Sequence, residues 1–148
     1  MININIDKQI LDHFGKTYSI STAKNGIGEM DGSYCTPIGK FKIFEKIGAD
    51  LELGSVLIGR ESTGEIYSAD LSKRYPDRDW ILTRIMWLDG VEGHNQNTKE
   101  RYIYIHGSPD ETPMGIPGSK GCIRMRNIDV IELFEQIHVD EEVYIIES

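Results

Sequence analysis

Ile2, Ile4 and Ile6 alternate with Asn3, Asn5 and Asp7, and a period of two fits one kind of element, a strand with one apolar and one polar face. The chain keeps returning to short segments of this type. Strand-like runs are expected at 10–14, 17–22, 40–47, 55–59, 80–88, 101–106 and 142–147. Turn chemistry separates the first of them: Asp7-Lys8-Gln9, Gly15-Lys16, then Lys24-Asn25-Gly26. In 40–47 the strand period puts Phe41, Ile43 and Glu45 on one face. Residues 25–39 form a Gly-rich loop, and the polar, Gly-containing segment 89–100 reads as a surface loop. A helical period is convincing in one place only. From Asn127, a good N-cap, it sets Val130, Leu133, Phe134 and Ile137 on one stripe. The expected fold is mainly β, a sandwich or barrel of short strands with one α-helix in the C-terminal half. Neither an internal repeat nor a linker is visible, so residues 1–148 are expected to form a single domain.

Charge narrows the partners. Sixteen Lys and Arg stand against 24 Asp and Glu, a net charge of −8, which repels a phosphate backbone over most of the surface; no nucleic acid is expected. No run of 18 apolar residues is present, so no membrane span is expected, and the first ten residues lack the apolar core of a secretory signal. As written, the chain is expected to stay where it is made. The two cysteines, Cys35 and Cys122, are 87 positions apart and could form one disulfide, but nothing else points to a stapled scaffold. Without a CxxC or HxxxH pair and with its four His scattered, the chain offers no metal site, and no cofactor is implied. No phosphate cradle is expected at 26–31, because the G-x-G-x-x sequence ends in Asp31 and no helix pattern follows.

One short stretch carries chemistry. In 119-SKGCIRM-125 a cysteine lies between Lys120 and Arg124, and nearby cations ease formation of a thiolate. Local cations alone are weak evidence, since both can point to solvent. The stronger clue is His106. In a strand, Tyr102, Tyr104 and His106 share one face while Ile103 and Ile105 share the core face. The loop 107-GSPDETPMGIPG-118 can then fold back and present Cys122 to the imidazole. Such a pair attacks a carbonyl and later protonates the leaving amine. Gly121 keeps bulk away from the nucleophile and lets a carbonyl oxygen approach the Cys122 N–H.

His106-Gly107, a loop of medium length and S-x-G-C-I-R-M resemble the active-site signature of the L,D-transpeptidase catalytic domain, the YkuD type. The element 36-TPIGKF-41 resembles a second motif of that family, and the order of elements is similar from about residue 2 to 147. The resemblance implies a nucleophilic Cys122, His106 as its base, and the Gly107 carbonyl fixing the imidazole tautomer. Ser119 and Gly121 would shape the site, and backbone N–H groups near Cys122 would form the oxyanion hole. Arg124 is a candidate for a substrate carboxylate, and Tyr104, on the His106 face, for substrate contact. Lys120 occupies a position where many members carry a second His, so it either tunes the thiol or is simply solvated. Cys35 matches no catalytic position.

The substrates implied are peptidoglycan stem peptides. A tetrapeptide stem donates its third-residue carbonyl, D-alanine leaves, and a thioester forms on Cys122. An amine acceptor then gives a crosslink or exchange, and water gives an L,D-carboxypeptidase. Two other readings stay open: a muropeptide hydrolase using the same Cys–His site, and a wall-binding module that has kept the fold without catalysis. The family's chemistry implies the cell envelope, in tension with the absence of a visible export signal.

Overall fold

A computed structural model describes residues 1–148. Ten strands and two α-helices follow in order: β1 (Ile2–Asn5), β2 (Ile10–His13), β3 (Lys16–Ser21), β4 (Gly39–Ile47), β5 (Ser55–Ile58), β6 (Glu61–Ile66), α1 (Ala69–Arg74), β7 (Ile81–Gly90), β8 (Tyr104–Ser108), β9 (Ile123–Arg126), α2 (Asn127–Gln136) and β10 (Glu142–Ile146). The strands pair in the order β4-β10-β1-β2-β3-β9-β8-β7, and β4 also pairs with β7. That last pairing closes eight strands into a ring. Closure removes the open sheet edge that would otherwise template aggregation, and eight strands enclose an interior that side chains can fill. The β5–β6 hairpin hangs from β7 outside the ring.

The alternation of the first strand does what its period requires. Ile2 and Ile4 are buried in the core with Leu11, Ile20, Phe41 and Ile43, while Asn3 is exposed and Asn5 half-buried. Burying each such aliphatic side chain is worth about 1.5–3 kcal/mol. Val130, Leu133, Phe134 and Ile137 of the helical stripe join the same core, and α2 packs on β7, β8 and β9. The helix therefore lies beside the strands that carry the signature.

Several expectations shift. Asn127 is not the cap: Arg126 holds that position with no side-chain hydrogen bond, and Asn127 Oδ1 instead accepts from Thr83 Oγ at 2.7 Å. Strand β8 begins at Tyr104 rather than 101, because Tyr102 takes a left-handed conformation (φ 57°). A bulge between Ile43 and Glu45 breaks the single face expected in β4. Strand β2 ends at His13, and Phe14 lies in a left-handed turn, exposed. Within 89–100, Asn95 and Thr98 are fully buried around a 3-10 turn at Gly93–Asn95, where Asn95 holds the Ile38 and Lys40 carbonyls.

Candidate active site

Two adjacent parallel strands position the signature. Strands β8 and β9 pair with Ile105 opposite Ile123 and His106 opposite Arg124, so Cys122, just before β9, lies level with Tyr104. Ile105, Ile123 and Met125 point into the core. By alternation, Tyr104 and His106 share the other face with Cys122 and Arg124. On that face Cys122 packs against the small cluster of Leu57, Ile85 and Tyr104. Cys122 and His106 are diagonal neighbours there, with Cα atoms roughly 8 Å apart from strand spacing and rise.

The sulfur and the imidazole each have their own partners. The Tyr104 N–H donates to Cys122 Sγ at 3.4 Å, and the thiol donates to Tyr102 O at 3.3 Å. His106 Nδ1–H donates to the Gly107 carbonyl at 2.7 Å. A carbonyl only accepts, so the proton sits on Nδ1 and the Nε2 lone pair is left for a partner. No hydrogen bond joins the sulfur to the imidazole, and Nε2 has no partner within the chain. Burial pushes the thiol up to about 12, against partial relief from the Tyr104 N–H, Arg124 and Arg101. Burial also holds the His106 imidazole below its ordinary value, outweighing the Gly107 carbonyl bond and the charge of Asp79. The resting pair is therefore a neutral thiol and a neutral imidazole, the state in which a base can accept a proton.

Two glycines are required by geometry. A Cβ on Gly107 would lie 2.5 Å from Asn127 Oδ1 and 2.6 Å from Leu82 O. The cause is an irregularity in β7, whose register shifts between Leu82 and Ile85 opposite His106 and Gly107, pressing Thr83 and Asn127 onto the β8 backbone. Gly121 has φ +129°, and a Cβ there would meet Cys35 O at 3.2 Å and Ile103 Cδ1 at 3.3 Å; only glycine is at ease in that conformation. Around it the nucleophile loop is tied down. Ser119 Oγ donates to Cys122 O and accepts the Gly121 N–H, and Thr36 Oγ of the TPIG element donates to Gly121 O at 2.9 Å. Arg101 Nη2 holds Cys35 O at 2.7 Å. The Cys122 N–H meets no acceptor within the chain.

The remaining candidates separate. Arg124 is already engaged, with Gly118 O at 3.1 Å and the Asp79 carboxylate at 3.3 Å. Lys120 is exposed and has no ion pair. Tyr104 is buried against Trp87, its ring centroid 5.9 Å away, and its hydroxyl accepts from Arg60 at 3.1 Å. Cys35 and Cys122 are both free thiols. Sequence reasoning missed Asp79, Thr83, Arg60 and Asn127, all drawn in by long-range pairing. No group of three or more His, Cys, Asp or Glu is assembled that could hold a metal ion, and no helix is long and apolar enough to cross a membrane.

Residues 2–145 match the family model of the YkuD type, the L,D-transpeptidase catalytic domain. The chain belongs to this family. Among solved structures, the L,D-transpeptidase of Xylanimonas cellulosilytica is similar at 19% identity and a TM-score of 0.60, covering 98% of this chain and 59% of that one. That of Mycobacterium smegmatis is similar at 16% and 0.60, covering 98% and 57%. L,D-transpeptidase 3 of Mycobacterium tuberculosis, solved with a faropenem-derived adduct, is similar at 15% and 0.58, covering 99% and 59%. At such identities the likeness is one of fold, and this L,D-transpeptidase domain spans under three-fifths of those chains. No curated protein matches the sequence.

Proposed function

We propose that this domain is a cysteine-dependent L,D-transpeptidase acting on peptidoglycan stem peptides. The observation that carries the reading is the placement of Cys122 and His106 on one face of the β8–β9 pair, with His106 Nδ1 committed to Gly107 O. Attack begins when the Cys122 proton passes to His106 Nε2 and the sulfur bonds to the third-residue carbonyl carbon of a tetrapeptide stem. The carbonyl oxygen becomes an oxyanion facing the free Cys122 N–H. As the carbon–nitrogen bond breaks, the proton on Nε2 goes to the departing amine, D-alanine leaves, and a thioester remains. An acceptor amine then attacks that carbonyl, its proton passes through His106 back to sulfur, and the free thiol returns.

The test is intact-protein mass spectrometry after incubation with a disaccharide tetrapeptide, then with a carbapenem. The expected result is a Cys122 adduct in both cases, absent from Cys122→Ala, with a crosslinked dimer among the products. Tripeptide alone would assign water as the acceptor. A protein that gains no mass from either reagent would be a non-catalytic wall-binding module.

A further inference from the structure

We infer that Arg60, at the turn of the β5–β6 hairpin, is a specificity-determining residue that receives a carboxylate of the stem peptide beside the Cys122 thiol. The inference rests on the acyl-transfer reading for the identity of its ligand. Ile58 pairs with Glu61, so Gly59 and Arg60 form a two-residue hairpin loop, and both have positive φ, 57° and 68°. The second position of such a turn favours Gly, Asn or Asp, yet an arginine holds it at a cost in backbone strain. Phe14 and Tyr34 also take positive φ and are exposed, so what the Arg60 side chain is used for is read from what surrounds it.

Its surroundings say for what. The guanidinium carbon lies 4.5 Å from the Trp87 ring centroid and 5.1 Å from that of Tyr102, and Nη1 donates to Tyr104 Oη at 3.1 Å. The two rings flank the fork, its remaining N–H groups have no partner within the chain, and Glu45 acts on it through charge but beyond ion-pair distance. That is unusual in a chain of net charge −8. The other arginines nearby are committed: Arg124 to Asp79 and Gly118 O, Arg101 to Cys35 O and Gly28 O, and Arg78 to Glu65. Lys120 is exposed and unanchored, so nothing orients its charge. Arg60 is thus the pre-organised unpaired cation of the site.

Tyr104 measures its distance from the chemistry. One end of this residue, its N–H, touches Cys122 Sγ, and the other end, its hydroxyl, touches Arg60. The guanidinium therefore stands on the order of 10 Å from the sulfur, about three residues of extended peptide. The carboxylate it suits lies within about 10 Å of the acylated carbonyl, at the end of a side chain of the donor. A bidentate guanidinium–carboxylate contact on an aromatic floor discriminates by about tenfold or more between a carboxylate and its amide.

The experiment titrates a stem tetrapeptide and its side-chain carboxamide form against the wild-type domain, Arg60→Gly and Arg60→Met, reading Kd by calorimetry. Glycine suits the turn, so R60G keeps the hairpin without the guanidinium, and R60M keeps much of the packing. Wild type is expected to prefer the carboxylate by about tenfold or more, with the ratio falling to near one in both variants. Labelling of Cys122 by uncharged iodoacetamide should stay unchanged. Equal weakening of both peptides would make Arg60 a structural clamp and overturn the inference, as would a wild type that binds neither. Thioester formation, read separately by mass, tests the acyl-transfer reading. A collapsed ratio without a thioester removes that reading and keeps the Arg60 assignment, whereas a thioester with an unchanged ratio does the reverse.

Discussion

Replacing His106 by alanine should convert a nearly flat pH profile of Cys122 reactivity into one that climbs tenfold per pH unit. Burial pushes the Cys122 thiol up to about 12 from an ordinary 9.0, so without a base the thiolate fraction at pH 7 is about 10⁻⁵, against about 10⁻² for an ordinary thiol. A thiolate of higher pKa is the better nucleophile. With a Brønsted slope of about 0.4–0.5, three units of basicity return roughly 15–30-fold of the thousandfold lost. The variant's thiol should therefore react about 30–70 times more slowly at neutral pH than a solvent-exposed cysteine. Wild type escapes this because the same burial lowers the His106 imidazole. Nε2 is then unprotonated at neutral pH and below, and general-base assistance is worth about 10²–10⁴.

The assay is the rate of iodoacetamide labelling from pH 6 to 10, with the adduct assigned to Cys122 by peptide mass. Wild type should be nearly constant, dropping only as the pH falls through the lowered His106 value. His106→Ala should be slower by about 10²-fold or more at pH 7 and rise linearly without levelling below pH 10. A variant curve that levels near pH 8 or 9 would mean that the thiol is not held neutral by burial. Superimposable curves for the two proteins would mean that the imidazole does not act on the sulfur.

Gly121→Ala should cost about 1–3 kcal/mol, because alanine must adopt φ +129° with its methyl 3.2 Å from Cys35 O. A thermal melt should show Tm lowered by several degrees, and an unchanged Tm would refute the strain argument. Glu141→Gln addresses stability far from the thiol, where the buried carboxylate receives the His13 Nε2–H at 2.8 Å. Burial alone would raise this carboxyl, but the His13 hydrogen bond and the Met1 ammonium at 3.4 Å outweigh it, so the folded value lies below the ordinary one. Its contribution is then present above the unfolded value of about 4.3 and is lost as pH falls through the folded value. Urea unfolding should show E141Q weaker by about 1–2 kcal/mol at pH 7, with the deficit shrinking as the pH falls below the unfolded value. A deficit that does not change with pH would place the effect in packing rather than charge.

What the sequence reveals depends on whether a residue's job is local. Ile2 and Ile4 need only the strand period to be assigned to the core, and Val130 and Leu133 only the helical one, and both sets lie there. That Cys122 and His106 share a face of the β8–β9 pair follows from the strand period and one loop, both local. Strand β6 is not legible, since 61-ESTGEI-66 is almost wholly exposed and has no apolar alternation, its pairing coming from the turn before it. Helix α1 is equally hidden, with six residues and none buried. Asn127 shows a local rule losing to a distant one: its oxygen could cap α2, but Thr83, 44 positions earlier, takes it.

The same division runs through the site. Gly107 is named by its motif, yet the reason it must be glycine lies in the β7 irregularity at Leu82–Ile85, which no reading of β8 contains. Arg124 looks from the sequence like a cation waiting for substrate, and it is occupied because Asp79, 45 positions away, reaches it. Arg60 looks like an ordinary charged turn residue and becomes the unpaired cation because the hairpin lays it on Trp87 and Tyr102. A motif names candidate groups for making and breaking bonds, since their spacing is set within one loop. Which charges are already paired is decided by tertiary contacts, so the test of specificity proposed for this domain is placed on the β5–β6 hairpin rather than in the signature.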